Sequence, residues 1–254
     1  MLRFLRKRLP RAAPARFDAP ISAPGLIYAV GDVHGRHDLL ERLIERIAED
    51  AAAFAEKPCI VFLGDYIDRG DGARETLDML MALSANPDVE TVFLMGNHEQ
   101  MMLGFLRDPD SAARWLRFGG RETLMSYGIR GAADLGRRGA AAGVRAELAE
   151  ALGPHLGFVE GLRLCHRAGN LFFAHAGADP ANPVDEQEVQ ALLWGCKAFA
   201  TTPRDDGIWV AHGHVVVDRP GAAGGRISVD TGAYFSGRLT AARIFGGEVS
   251  FIES

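Results

Sequence analysis

Short apolar runs that stop abruptly on polar clusters recur along the chain: GLIYAVGD (25–32), CIVFLGD (59–65), TVFLMGN (91–97), LFFAHAG (171–177) and IWVAHGH (208–214). Runs of this length, rich in Val, Ile and Phe, predict strands buried on both faces. Between the first two, Leu39, Leu40, Leu43, Ile44 and Ile47 recur at helical spacing while Glu and Arg fill the other side, which predicts an amphipathic helix. ARETLDMLMAL (73–83) predicts a second helix before the third run. The chain thus opens β-α-β-α-β. Open α/β sheets place their sites at the carboxyl ends of strands, so runs ending in Asp, Asn or His aim polar groups at one place.

Residues 101–160 break this pattern. They are helical in character, rich in Gly and Arg and without a convincing strand, and are expected as a helical insertion beside the site. From 207 onward, GIWVAHGHVVV, GRISVDTGAY, RLTAARIF and EVSFIE read as consecutive strands, which a second sheet packed on the first would accommodate. The expected class is α/β: a β-sandwich flanked by helices, with residues 23–254 as a single domain.

Composition narrows the function classes. A length of 254 residues suits one substantial core, and 48% hydrophobic with 24% charged residues is ordinary for a soluble protein. The net charge of -5 gives no reason to expect a nucleic-acid partner. The opening MLRFLRKRLPRAAPAR runs against that average. It lacks the continuous apolar stretch of a signal peptide, so residues 1–22 are expected as a flexible basic tail. No apolar run approaches the roughly 20 residues needed to span a bilayer, so no stable membrane insertion is expected. Cys59, Cys165 and Cys196 are odd in number and lack paired spacing, which predicts reduced thiols and a cytoplasmic location.

The polar run ends are GDVHG (31–35), GDYIDRG (64–70), GNHE (96–99), HAG (175–177) and HGH (212–214). Asp, His and Asn donors without clustered thiolates suit intermediate or hard divalent metals. At the tip of the first strand Gly31, Asp32 and Gly35 suit a turn, while Asp32 and His34 also suit a pair of metal ligands; glycines beside each run end let the backbone turn so that such side chains converge.

In this order the set resembles the metallophosphoesterase signature, and GDxHG, GDxxDRG and GNHE together resemble the phosphoprotein phosphatase superfamily. The resemblance implies that Asp32 and His34 bind a first metal, that Asp65 bridges two, and that Asn97, His175 and His214 complete the ligands of the second metal. It further implies that His98 protonates the leaving alkoxide while Asp68 holds its ring, and that Arg69 and Asn97 bind phosphate. Two divalent ions sharing a carboxylate would activate a bridging hydroxide for direct attack on phosphorus. Manganese is the expected metal, with iron, zinc and cobalt compatible with the same donors.

One departure touches the substrate clamp. Where bacterial members commonly carry an LLWxR-like stretch, this chain has LLWGCKAF, with Cys196 at the position of the arginine. Lys197, Arg204 or an arginine of the insertion are the candidate replacements. His212 competes with His214 as a ligand, and the alignment favours His214. Glu99 reads as a hydrogen-bond acceptor behind the ligands, and Asp230 stands between a turn role and a place near the site. The W…GG…T…YG pattern at 115–128 resembles the bacterial serine/threonine-phosphatase-like branch, with Arg117, Arg121 and Tyr127 as candidate substrate contacts. The expected activity is hydrolysis of phosphoserine or phosphothreonine in proteins. Symmetrical hydrolysis of diadenosine tetraphosphate and an idle metal-dependent binding protein are the alternatives.

Overall fold

The computed structural model describes residues 17–131 and 140–254. Strands β1 (Ile27–Val30), β2 (Cys59–Phe62) and β3 (Glu90–Phe93) run parallel, with helices α1 (His37–Ala51) and α2 (Ala73–Ser84) as crossovers. Helices α3 (Asn97–Arg107), α4 (Ala112–Arg117), α5 (Gly120–Ser126), α6 (Ala140–Leu152) and α7 (Pro154–Glu160) follow without a named strand among the described residues. Strands β4 (Cys165–Ala168) and β5 (Leu171–Ala174), helices α8 (Val189–Trp194) and α9 (Lys197–Thr201), and strands β6 (Trp209–His212), β7 (Gly221–Ala223) and β8 (Arg226–Ser228) come next. The chain closes with α10 (Ala233–Ser236), β9 (Thr240–Phe245) and β10 (Glu248–Glu253).

Two five-stranded sheets result, ordered β10-β9-β1-β2-β3 and β4-β5-β6-β8-β7. Alternation along each strand explains why the runs are apolar throughout. Ile27, Ala29, Val61 and Leu63 of the first sheet meet Leu171, Phe173, Ala211 and Ile227 of the second. Tyr28, Val30, Ile60 and Phe62 point the opposite way and pack on Leu39, Leu40, Leu43 and Leu77 of the helices. A strand with both faces covered has no polar position to spare until it leaves the sheet.

Two expectations need correction. The last hairpin does not extend the second sheet: β9 pairs antiparallel with β1, with Ala29 opposite Ala242 and Val30 opposite Ala241, and β10 forms the outer edge. Apolar periodicity specifies a strand but not its partner. The pairing depends on β9 returning across the β1 edge, where Ala242 and Ile244 join the inter-sheet core. Residues 17–22 are not a free tail either. The Phe17 ring meets Trp209 edge-on at 5.1 Å, and the Trp209 indole N–H donates to the Ala19 carbonyl (2.9 Å). Asn170 binds both the Ser22 amide (2.7 Å) and the Pro20 carbonyl (2.9 Å). Residues 1–16, where the basic cluster lies, fall outside the described residues.

Candidate metal centre

The polar ends of β1, β2, β5 and β6 and the start of α3 meet at one edge of the sandwich. Five non-glycine residues among those described have positive φ, and all lie here: His34 (47°), Asp65 (52°), Asp68 (70°), Arg69 (68°) and His214 (63°). Such conformations cost about 1–3 kcal/mol each and persist where the surroundings enforce them. Here the enforcement is visible. Glu99, fully buried, accepts hydrogen bonds from the amides of Gly96 (2.9 Å), Asp65 (2.9 Å), Tyr66 (2.8 Å) and Ile67 (3.3 Å), holding the loop after β2 against the first turn of α3. Gly96 and Gly213 leave room for carboxylates: a Cβ at either would collide with Oδ1 of Asp65 or Asp32 respectively.

Asp65 sits between two sets of donors. His34, Asp65 and His98 each offer an atom within 4.8 Å of the others, and so do Asp65, His175 and His214. The shared Asp65 Oδ2 lies 3.6 Å from His34 Nε2 and 3.3 Å from His175 Nε2. Asn97 Oδ1 stands 2.9 Å from the same His175 nitrogen. Asp32 lies outside these two sets, with both carboxylate oxygens on the His214 amide at 3.1 Å.

Several features fit divalent cations. His34 Nδ1–H donates to the Ile67 carbonyl (2.9 Å), which fixes the ring and leaves Nε2 buried without a hydrogen-bond partner among the described residues. His175 is oriented the same way by the Leu63 carbonyl (3.0 Å). Burial pushes His34 down to about 3 and His214 down to about 4, so both rings present a lone pair. Burial, with Asp230 and then Asp65 nearby, pushes the Asp32 carboxyl well above its ordinary range. Burial alone would lower His175, but Asp65 and Asp32 outweigh it and hold the ring up to about 10. Carboxylates this crowded hold a proton on His175 in the metal-free state. A cation favours ionised carboxylates and free imidazole lone pairs together.

His98 is built differently. Its Nδ1 lies 2.7 Å from Asp68 Oδ2, while Nε2 faces Arg69 Nη2 at 3.3 Å. Burial works against its protonation, but Asp65 and Asp68 outweigh this and raise it above the ordinary histidine value. Asp68 in turn accepts from the Trp115 indole N–H (2.9 and 3.0 Å) and the Thr123 hydroxyl (2.6 Å). The Arg69 guanidinium stacks on Tyr234, 4.7 Å from the ring centroid.

Trp115, Thr123 and Tyr234 were not singled out for these roles by the sequence. The W…GG…T pattern was the available signal, but a tryptophan and a threonine in a helical stretch read equally well as core. Tyr127, a candidate substrate contact, is instead buried with its hydroxyl on His155 Nδ1 (2.6 Å), while Arg117 and Arg121 are exposed. His212 spends both ring nitrogens on the Gly213 carbonyl (3.0 Å) and the Ser228 hydroxyl (2.8 Å), which removes it from competition with His214. Asp230 is buried and caps the Gly232 amide (2.8 Å), close enough to act on Asp32. Of the replacements for the missing arginine, Arg204 is committed to Asp206 and to the Asp179 and Asn182 carbonyls. Lys197 is exposed, and Arg114 of the insertion lies 4.2 Å over the Trp194 ring, two residues before Cys196.

The calcineurin-like phosphoesterase family model matches residues 25–218. Among curated relatives, serine/threonine-protein phosphatase PP1-1 of Saccharomyces cerevisiae is 35% identical over 85 residues, 33% of this chain and 25% of that protein. The symmetrical bis(5'-nucleosyl)-tetraphosphatase of Legionella pneumophila (strain Corby) is 38% identical over 80 residues, 31% of this chain and 26% of that protein. The chain thus aligns with about a quarter of the length of these relatives. The cold-active protein-tyrosine phosphatase of a Shewanella species superposes with a TM-score of 0.57 at 17% identity, covering 96% of this chain and 87% of that one. At that identity the superposition speaks for the fold alone.

Proposed function

Because the chain belongs to the calcineurin-like phosphoesterase family, we propose that it is a dinuclear-metal phosphomonoesterase acting on phosphoserine and phosphothreonine in proteins. The observation that carries the metal-dependent chemistry is Asp65, one buried carboxylate shared by two sets of histidine donors. Asp32, His34, Asp65, Asn97, His175 and His214 would hold the ions. Two divalent cations there would neutralise phosphoryl charge and supply a water of lowered pKa as nucleophile.

This chain's own groups do the rest. Arg69, kept in place by its stack on Tyr234, offers a planar fork for two phosphate oxygens, and Asn97 offers its amide to a third. His98 gives its Nε2 proton to the departing oxygen, while Asp68 fixes the ring through Nδ1. Around this centre stand exposed apolar side chains, Phe118, Val215, Val216, Tyr234 and Phe235. Such a rim supports a substrate that presents apolar neighbours beside its phosphate, as a peptide does.

Hydrolysis of p-nitrophenyl phosphate by metal-stripped protein, with and without Mn²⁺, tests the chemistry. Activity restored by metal and absent from Asp65→Asn is expected; none with any divalent metal in folded, metal-bound protein overturns it. The likeness to the Legionella enzyme favours a second reading, symmetrical cleavage of diadenosine tetraphosphate. Phosphate release from a phosphopeptide, measured beside ADP release from the dinucleotide, separates the two.

A further inference from the structure

We propose that Trp115 and Thr123, both in the helical insertion, are positioning residues for proton transfer: they fix the Asp68 carboxylate so that it holds the His98 ring with Nε2 toward the phosphate. The proposal rests on the reading above, in which His98 protonates the leaving oxygen.

The hydrogen bonds around Asp68 leave little freedom. Trp115 Nε1–H can only donate, and it spans both carboxylate oxygens (3.0 Å to Oδ1, 2.9 Å to Oδ2). Thr123 Oγ1 already accepts from the Asp68 amide (2.9 Å), so its own proton turns to Oδ1 (2.6 Å). Among the described residues, every insertion side chain in hydrogen-bond contact with the carboxylate is therefore a donor, and Asp68 is held as an acceptor. What remains for Oδ2 is His98 Nδ1 at 2.7 Å, which must then carry a hydrogen. That leaves Nε2 as the nitrogen for the transferable proton: here it accepts from Arg69 Nη2 (3.3 Å) and stands 3.8 Å from Asp65 Oδ2, and it takes up the proton when the guanidinium turns to phosphate. As the ester P–O bond breaks, the leaving oxygen keeps the bonding pair and takes this proton. The ring becomes neutral, Asp68 is unchanged, and water supplies the oxygen that phosphate gains.

The insertion is seated for this task. The Arg69 amide donates to the Gly119 carbonyl (3.3 Å), and Gly119 itself adopts φ of 110° directly against the Arg69 backbone. Gly120 lies so close to the Trp115 indole that a Cβ there would overlap it. Four residues beyond Thr123, Tyr127 binds His155, which binds Asp78 of α2 (3.0 Å). Helix α5 is thus anchored at both ends, one on the Asp68 loop and one on the sheet-covering helices.

A residue that merely satisfies a buried carboxylate would slow every substrate alike when replaced; one that positions an acid matters most for poor leaving groups. Mn²⁺-loaded Thr123→Val and Trp115→Phe should be compared with wild type on a phosphoserine peptide and on p-nitrophenyl phosphate, whose leaving group hardly needs a proton. The kcat ratio of the first substrate to the second should fall roughly tenfold or more, with KM little changed, and Thr123→Ser should restore it. In metal-free protein, proton NMR should show the His98 Nδ1–H signal in wild type and Thr123→Ser and its loss in Thr123→Val. An unchanged ratio in Thr123→Val overturns the proposal, and the threonine pair decides it should Trp115→Phe not fold. His98→Asn, run alongside, separates the two layers. If it lowers the ratio while the insertion variants do not, this proposal alone fails; if it does not, the acid role fails and the proposal falls with it.

Discussion

Loops after β1, β2 and β6 present His34, Asp65 and His214 at φ of 47°, 52° and 63°, whereas Trp115 and Thr123 reach Asp68 from the ordinary helices α4 and α5. The first region places its groups by backbone strain, held by Glu99 and by glycines that leave room for carboxylates. The second places Trp115 and Thr123 by side-chain hydrogen bonds from ordinary helices, although the Asp68 that they hold is itself at φ of 70°. A centre for highly charged ions needs ligands converging within a few ångströms from separate strands, and sharp turns at the strand ends achieve that. An acid needs only one ring held at one angle, and a carboxylate fixed from a neighbouring helix is enough.

Four perturbations should separate these two modes. The largest effect is expected for Asp65→Asn, which removes the carboxylate common to both donor sets. Mn²⁺-dependent turnover should fall by about 10³-fold or more, with fewer ions retained by elemental analysis. Normal metal content with normal turnover would show that Asp65 is not the shared group.

Next is Gly213→Ala, whose Cβ would collide with Asp32 Oδ1. Metal affinity measured by titration calorimetry should drop by roughly 10–100-fold, the scale on which displaced supporting groups act at metal sites. Wild-type affinity would mean that the strand-tip loop yields easily and that strain is not what fixes it.

The third is pH dependence in the metal-free protein. Burial lowers His34 to about 3 and both His212 and His214 to about 4, from an ordinary 6.5. Below pH 6.5 the unfolded chain takes up protons that the folded chain refuses until near pH 4 or 3, so stability falls as pH falls through that window. His175 acts in the opposite sense. Raised to about 10, it contributes stability fully below pH 6.5 and loses it as pH rises toward 10. Urea melts between pH 7 and 4 should show a shallower decline for His212→Gln than for wild type. Parallel declines would remove His212 as a source of acid sensitivity.

The smallest effect is expected at the far end of the insertion. His155→Phe breaks the Tyr127–His155–Asp78 chain and should cost about 1 kcal/mol in chemical denaturation. A loss several times larger would show that this anchor, rather than the Asp68 loop, holds the insertion in place.

Much of the fold and of the candidate site was legible in the sequence, for a physical reason. A strand buried on both faces must be apolar to its last residue, so the polar groups beyond it stand out and carry their chemistry openly. Asp32, His34, Asp65, Asn97, His98, His175 and His214 each follow such a run, and it is their ordered set that carries the resemblance from which their roles were expected. The β-α-β-α-β opening was readable from continuous apolar runs and from the 3.6-residue period of the first crossover helix.

Tertiary structure alone decided the rest. The sequence marks β9 as a strand, but only the assembled sheets show that it pairs with β1 rather than with the second sheet. Phe17 looked like the end of a basic tail until Trp209 gave it a partner. Trp115 and Thr123 belong to the W…GG…T pattern, but that pattern does not separate this role from core packing, because a hydrogen-bond donor becomes meaningful only when the fold sets an acceptor before it. Asp68, 47 and 55 residues away along the chain, is that acceptor. Sequence determined which chemistry the chain can offer, since that depends on residue type next to a local strand end. Structure determined which groups act together, since that depends on distances in space that no local pattern encodes.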